Sequence, residues 1–286
     1  MKTKILLLFV LLCGVSVLVP AQESPQKSAS ATAQIRDLKK VLELKMPKTA
    51  DDEYCGTRGA SVCWNPVTKK YYAAFAGNTS FPLGVFDVKG KLLSDADQTT
   101  LQDTRGLWYN PTTKKISGNG YNDNGWFSYT LDSKGIPTDY VTDFSGMNQP
   151  DENSCGVYDP SSKSVLFLNK GKITYYDGKT AESGKSVPIH WGRKKSQGVG
   201  EDENEDNQNS DYNYTSVIYT GIKNAEFGLL NTLSDNIELY DSKTGFMQTQ
   251  LHLPDGTPLE PSFNFAYANG IYWLFDIANR TWLGFK

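Results

Sequence analysis

Asp51-Asp52-Glu53, Asp103-Thr104-Arg105-Gly106, Asp151-Glu152-Asn153, Asp211-Tyr212 and Glu260-Pro261 set a carboxylate ahead of each of five apolar segments. Two carboxyl groups flanking a glycosidic bond, one protonated as acid and one ionised as base, can hydrolyse it. Asp52, Asp103 and Glu152 are the candidates for that work. The same oxygens, set among guanidinium, amide and aromatic groups, can instead hold a ligand. Ring faces stack on sugars while carboxylates and amides take up hydroxyls. Arg58, Arg105, Asn122 and Trp126 are the candidates for binding. The plainer alternative is a structural ring, in which Arg58 and Arg105, each inside a Thr-Arg-Gly triplet, pair with nearby carboxylates.

Other chemistries find less to work with. The sequence has two histidines, His190 and His252, both in segments expected at the outer rim, where ligands or triad partners do not converge. Gly118-Asn119-Gly120 and Gly198-Val199-Gly200 are too short for a phosphate cradle. No residue set is assigned to a metal and no cofactor is identified; inward oxygens on the axis of the fold are the one place a cation would sit. Cys55 and Cys63 are close enough in sequence to close a disulfide, and the competing reading makes them and Cys155 buried thiols.

The elements that must carry these groups are visible as a repeat. Trp64-Asn65-Pro66, Tyr109-Asn110-Pro111 and Tyr158-Asp159-Pro160 open it, with looser copies at Tyr219-Thr220-Gly221 and Tyr267-Ala268-Asn269. Each unit continues through aromatic and β-branched strands to a hydrophobic-Asp pair, at Phe86-Asp87, Leu131-Asp132, Tyr176-Asp177 and Tyr240-Asp241. Those aspartates are 45, 45 and 64 residues apart. The longer interval contains residues 193–211, whose run Glu201-Asp202-Glu203-Asn204-Glu205-Asp206 lacks apolar content and a calcium-loop spacing. It reads as a disordered acidic insertion. A period of about 40 to 50 residues with several strands per unit specifies a propeller. The expectation is an all-β, five-bladed β-propeller with four-stranded blades. The last unit stops after three strands, and Lys40 to Pro47 supplies the missing one, joining the N-terminal strand to the C-terminal blade and closing the ring.

The two ends and the composition add the setting. Residues 1–21 combine Lys2 and Lys4, an apolar run from Ile5 to Val19 and Val19-Pro20-Ala21, the pattern of a cleaved signal peptide. Residues 22–37 read as a flexible tether, or as the start of a short helix near Ile35, and residues 38–286 as the propeller. The expected location is the periplasm or the cell exterior. Net charge is −3, which gives no basic footprint for nucleic acid, and no other apolar stretch is long enough to span a bilayer. A monomer binding a carbohydrate or a protein partner is expected. In blade count and in the placement of Asp52, Asp103 and Glu152, the sequence resembles the five-bladed propellers that include secreted glycoside hydrolases and sugar-binding lectins. The resemblance implies a binding module, with a carboxylate-based hydrolase as the alternative.

Overall fold

Asn65 Oδ1 accepts the amides of Val67 and Thr68 at 3.0 and 3.2 Å, and Asn110 Oδ1 those of Thr112 and Thr113 at 2.9 and 3.3 Å. Asp159 does the same for Ser161 at 2.7 Å. These side chains fold each inner hairpin by replacing a backbone acceptor, with proline supplying the fixed φ. The hydrophobic-Asp pairs end the third strands in the same manner, Asp87, Asp132, Asp177 and Asp241 each capping the amide two residues on. The repeat is therefore turn chemistry, at two points in each of blades 1 to 3 and at the third-strand end of blade 4.

The computed structural model describes residues 35–49, 58–198 and 210–286. Strands β1 (Ile35–Asp37) and β2 (Lys40–Lys45) come first. Blade 1 holds β3 (Gly59–Asn65), β4 (Lys70–Phe75) and β5 (Leu83–Phe86); blade 2 holds β6 (Thr104–Asn110), β7 (Lys115–Gly120), β8 (Trp126–Leu131) and β9 (Pro137–Phe144). Blade 3 holds β10 (Val157–Asp159), β11 (Ser164–Asn169), β12 (Lys172–Asp177) and β13 (Ser183–Pro188). Blade 4 holds β14 (Ile218–Tyr219), β15 (Phe227–Asn231), β16 (Asn236–Tyr240) and β17 (Met247–His252). Blade 5 holds β18 (Phe265–Ala268), β19 (Ile271–Asp276) and β20 (Thr281–Phe285). Neighbouring strands among β3 to β20 are antiparallel within each blade. The inner strands touch in the order β3, β6, β10, β14, β18 and back to β3, which is a closed five-bladed ring. β2 pairs antiparallel with β20, Leu44 opposite Trp282, and is the outer strand of blade 5.

Both faces of every sheet are buried against a neighbouring blade. In β4, Tyr71, Ala73 and Phe75 face the seam with blade 5, while Tyr72, Ala74 and Ala76 (just past its end) face the seam with blade 2. The same alternation runs through β11 and β19. Period-2 side chains with two apolar neighbours explain why these strands are continuously hydrophobic in sequence.

Three details differ from expectation. Residues 91–94 do not form a fourth strand in blade 1. Leu92 makes an isolated bridge to Phe86, and residues 92–99 cover the β5 edge through single bonds such as Leu93 N–H to Val85 O, 2.7 Å. Ile35–Asp37 is neither tether nor helix but pairs parallel with β17, Arg36 opposite Leu251, adding a fifth strand to blade 4. Of the acidic insertion, residues 199–209 lie outside the described residues, whereas Arg193 is held to the blade, its carbonyl accepting from Met247 N–H at 2.8 Å. The signal peptide and most of the tether also lie outside them.

Blade 4 also buries a carboxylate. Glu238 is 2% exposed and accepts from the Tyr212 hydroxyl at 2.8 Å, from the Tyr240 hydroxyl, and from Asn231 and Gln250 at 3.3 Å each. Burial first, and the nearby Glu238 charge second, push both phenols above their ordinary value, so they stay protonated as donors. Glu238→Ala orphans these donors and is expected to cost about 3 kcal/mol, read as a fall in the urea midpoint at unchanged slope.

Candidate functional site

The upper face of the ring, where the chain enters the inner strands, is organised around one buried cation. A bulge between Thr104 and Gly106 at the start of β6 leaves Arg105 without a partner on β7. Its guanidinium crosses the channel. It lies 4.6 Å from the Tyr121 ring centre and 5.7 Å from that of Phe263 in blade 5, and Nε donates to Asn153 Oδ1 of blade 3 at 3.3 Å. Nη1 bonds Asp103 Oδ1 and the Thr104 carbonyl, and Nη2 reaches Asp103 Oδ2 at 3.4 Å. Arg105 is 3% exposed. Gly106 permits this packing, because a Cβ there would sit 2.4 Å from the Gly156 carbonyl oxygen of the next blade.

Buried amides hold the surrounding loops. Asn119 donates to Gln149 Oε1 at 2.6 Å and to the Ser154 carbonyl at 2.8 Å, and accepts from Gly156 N–H at 3.0 Å, joining blades 2 and 3. Asn213 donates to the carbonyls of Glu260 and Phe263 at 2.9 and 2.7 Å, joining blades 4 and 5. Asn264 accepts from Gly59 N–H at 2.5 Å, joining blades 5 and 1. These buried amides fix the loops in one arrangement.

The sequence-derived candidates fall in different places. Asp103 has both oxygens engaged by Arg105, and Oδ1 also accepts from Gly77 N–H at 2.8 Å. Glu152 is exposed on the same face; it accepts from the Tyr121 hydroxyl at 2.9 Å and from Asn153 Nδ2 at 3.3 Å. That bond to Glu152, more than burial, raises the Tyr121 phenol above its ordinary value. Asp52 and Cys55 lie outside the described residues. Arg58 is exposed, its guanidinium 5.4 Å from the Phe263 ring centre. Asn122 is exposed at the rim, with φ of 50° and its amide bonded to the Glu152 carbonyl at 3.3 Å. Trp126 is not at the mouth. It is 3% exposed in the seam between blades 2 and 3, against Trp108 and Phe144, with Nε1 donating to the Asn148 carbonyl at 3.0 Å. As a strand residue beyond the loop it alternates into the core, which corrects its reading as a ligand contact. Cys63 and Cys155 are buried thiols, raised by desolvation.

A polar cavity of about 230 Å³ opens beside Arg105, lined by Arg58, Asp151, Asn153, Lys170, Tyr214 and Phe263, among others. Lys170 was not legible as a site residue. It occupies the tight β11–β12 turn with φ of 46°, a position that ordinarily favours Asn or Gly. Neither Arg58 nor Lys170 forms an ion pair among the described residues. Deeper in the channel, side chains including Val62, Leu107, Val157 and Val217 close a waist that leaves about 20 Å³, room for about one water. Among the described residues no three His, Cys, Asp or Glu side chains converge to hold a metal, and no helix is long and apolar enough to cross a membrane.

No protein-family model matches the sequence, and no curated protein is similar to it. Solved structures are. A glutaminyl cyclase of Myxococcus xanthus superposes with a TM-score of 0.51 at 8% identity, over 88% of this chain and 96% of its own. The β-propeller domain of Cps50 (Swd1) from Myceliophteria thermophila gives 0.44 at 9% identity, over 87% and 99%. At such identities the likeness is one of fold, and the chain is a five-bladed β-propeller.

Proposed function

We propose that this chain is an exported binding module whose upper mouth takes a carbohydrate bearing a carboxylate. The observation that carries the reading is a polar cavity holding two cations, Arg58 and Lys170, with no carboxylate paired to either among the described residues. Around them stand the exposed Tyr214 ring and the amides of Asn153 and Asn169, a flat apolar face beside hydrogen-bonding groups, as sugar rings require. Hydrolysis has less support, because Asp103 has no oxygen free to act as acid or base. A screen of uronate and neutral oligosaccharides by calorimetry tests the proposal. Binding of the acidic sugars should weaken about tenfold in both Arg58→Ala and Lys170→Ala, the loss of one charge-assisted bond each. Absence of binding across the screen refutes it, and turnover abolished by Glu152→Gln would move the reading to the hydrolase.

A second reading draws on the fold shared with the Myxococcus xanthus cyclase. Cyclisation of an N-terminal glutamine joins the α-amine to the side-chain amide carbon and releases ammonia, so a group must carry a proton from the amine to the leaving nitrogen. Glu152, bonded to Tyr121 and to no cation among the described residues, supplies such a group on this face. Ammonia release from a glutaminyl peptide, lost in Glu152→Gln, separates this reading from pure binding.

A further inference from the structure

The lower face of the ring, where the inner strands turn back, carries a second cavity of about 410 Å³ built from the residues that define the repeat. Trp64, Tyr109, Tyr158, Tyr219 and Tyr267 stand at one register, each in the last rung or two of its inner hairpin. Each ring is packed into the seam with the preceding blade, and all five line the cavity. Anchored aromatic walls of this kind are pre-formed rather than assembled on binding. The floor is apolar, made by Val62, Leu107 and Val157, three of the side chains that also form the channel waist. Below that floor the channel narrows to the void of about 20 Å³.

The rim of the cavity is cationic. Lys69, Lys114, Lys163 and Lys223 lie in the inner turns and Lys115 opens β7, all exposed, and none forms an ion pair among the described residues. Three of them sit in left-handed backbone, with φ of 53°, 60° and 57° at Lys69, Lys114 and Lys163. Blades 4 and 5 place asparagine in their corresponding turns, at Asn224 and Asn269, with φ of 63° and 55°. Left-handed backbone favours Gly and Asn, so lysine in three of five equivalent turns is chosen against local preference. The aspartates on this face are engaged elsewhere: Asp87, Asp132, Asp177 and Asp241 cap turn amides, and Asp159 is 3% exposed. A chain of net charge −3 thus places lysines with no ion pair among the described residues in the inner turns of four blades, around an aromatic pocket.

We propose that the lower cavity binds a small organic anion with a flat apolar ring system, its rings between the five aromatic side chains and its anionic group at the lysine rim. The volume lies in the range of small-molecule pockets, and the apolar floor favours one ring system with its charged end outward. The rim supplies the complementary field. The site is separated from the upper mouth by the waist, so the two proposals stand or fall independently.

Anilinonaphthalene sulfonate, a flat aromatic anion, is the probe. Titrated into the full folded chain, it should bind saturably at one site per chain with blue-shifted emission. The double variant Lys114→Glu/Lys163→Glu changes exposed side chains only, and should weaken Kd by about tenfold at low salt, an effect that shrinks as salt is raised. Tyr219→Leu should weaken it several-fold, and upper-face Lys170→Ala should leave it unchanged. Unsaturable binding would overturn the proposal, as would an unchanged Kd in a charge-reversed variant whose circular dichroism and unfolding midpoint match the parent. Displacement of the dye by an acidic tryptophan peptide at lower concentration than by naphthalene sulfonate would also overturn it, in favour of a peptide occupant.

Discussion

A chain that starts at Pro47 is expected to lose cooperative unfolding. The missing segment removes Leu38, Leu44 and Met46, which are 3%, 0% and 4% exposed, from two seams of the ring. At about 2 kcal/mol for each buried aliphatic side chain, the apolar loss alone is about 6 kcal/mol. The ladder from Lys40 opposite Phe285 to Lys45 opposite Thr281 goes too, baring the β20 edge. A domain is stable by about 5–15 kcal/mol in total, so little or nothing remains. Near-ultraviolet circular dichroism and size-exclusion chromatography should show a loosely packed, self-associating product. Adding a peptide of residues 35–48 should restore part of the native signal. If the truncated chain instead unfolds in one sharp transition within about 1 kcal/mol of the parent, the ring is not held by this strand.

Arg105→Ala should be the most damaging single substitution on the upper face. It deletes a guanidinium that bonds Asp103, Thr104 and Asn153 and stacks on Tyr121 and Phe263, so three blades lose their common partner. Asp103, whose side chain is 17% exposed, is left with a charge and no counterion. Removing one member of a buried pair costs about 3–5 kcal/mol, which for a domain of this size lowers Tm by about 10 °C. Arg105→Lys should recover only part, since an ammonium cannot reproduce the planar fork or the stacking. The Arg105→Ala/Asp103→Ala double variant should be less destabilised than the sum of the single variants. Additive losses would mean that the ion pair contributes nothing to the fold.

The blades were legible because their signals are local. Asn65, Asn110 and Asp159 fold a turn within three residues of themselves, and the apolar strands between turns need only a period of two. The upper mouth was legible only as a region. The two Thr-Arg-Gly triplets look equivalent in sequence, yet Asn65 opposite Lys70 and Asn110 opposite Lys115 set registers that match Arg105 to Ala60 and leave Arg58 outside the strand. The same bulge falls on Ala60 in β3 and on Arg105 in β6, so register decides which arginine is buried, and no residue type announces it. Asn119 and Asn213 are fully buried staples whose partners lie up to 50 residues away, so in sequence they read as ordinary loop amides. β1 was missed for a similar reason: three residues in a parallel pair carry no hydrophobic alternation.

Latching the ring with β2 has a consequence for the order of events in time. β2 leaves the ribosome about 240 residues before β20, its partner, and until then Leu44 and Met46 have no seam to enter. Blades 1 to 3 can pair their strands locally and early, but the final contact spans nearly the whole chain and must close the largest loop in the molecule. The last step of folding is therefore a chain-end encounter, made with the clasp undone until then, whose rate should follow the freedom of residues 35–45 rather than the strength of any blade.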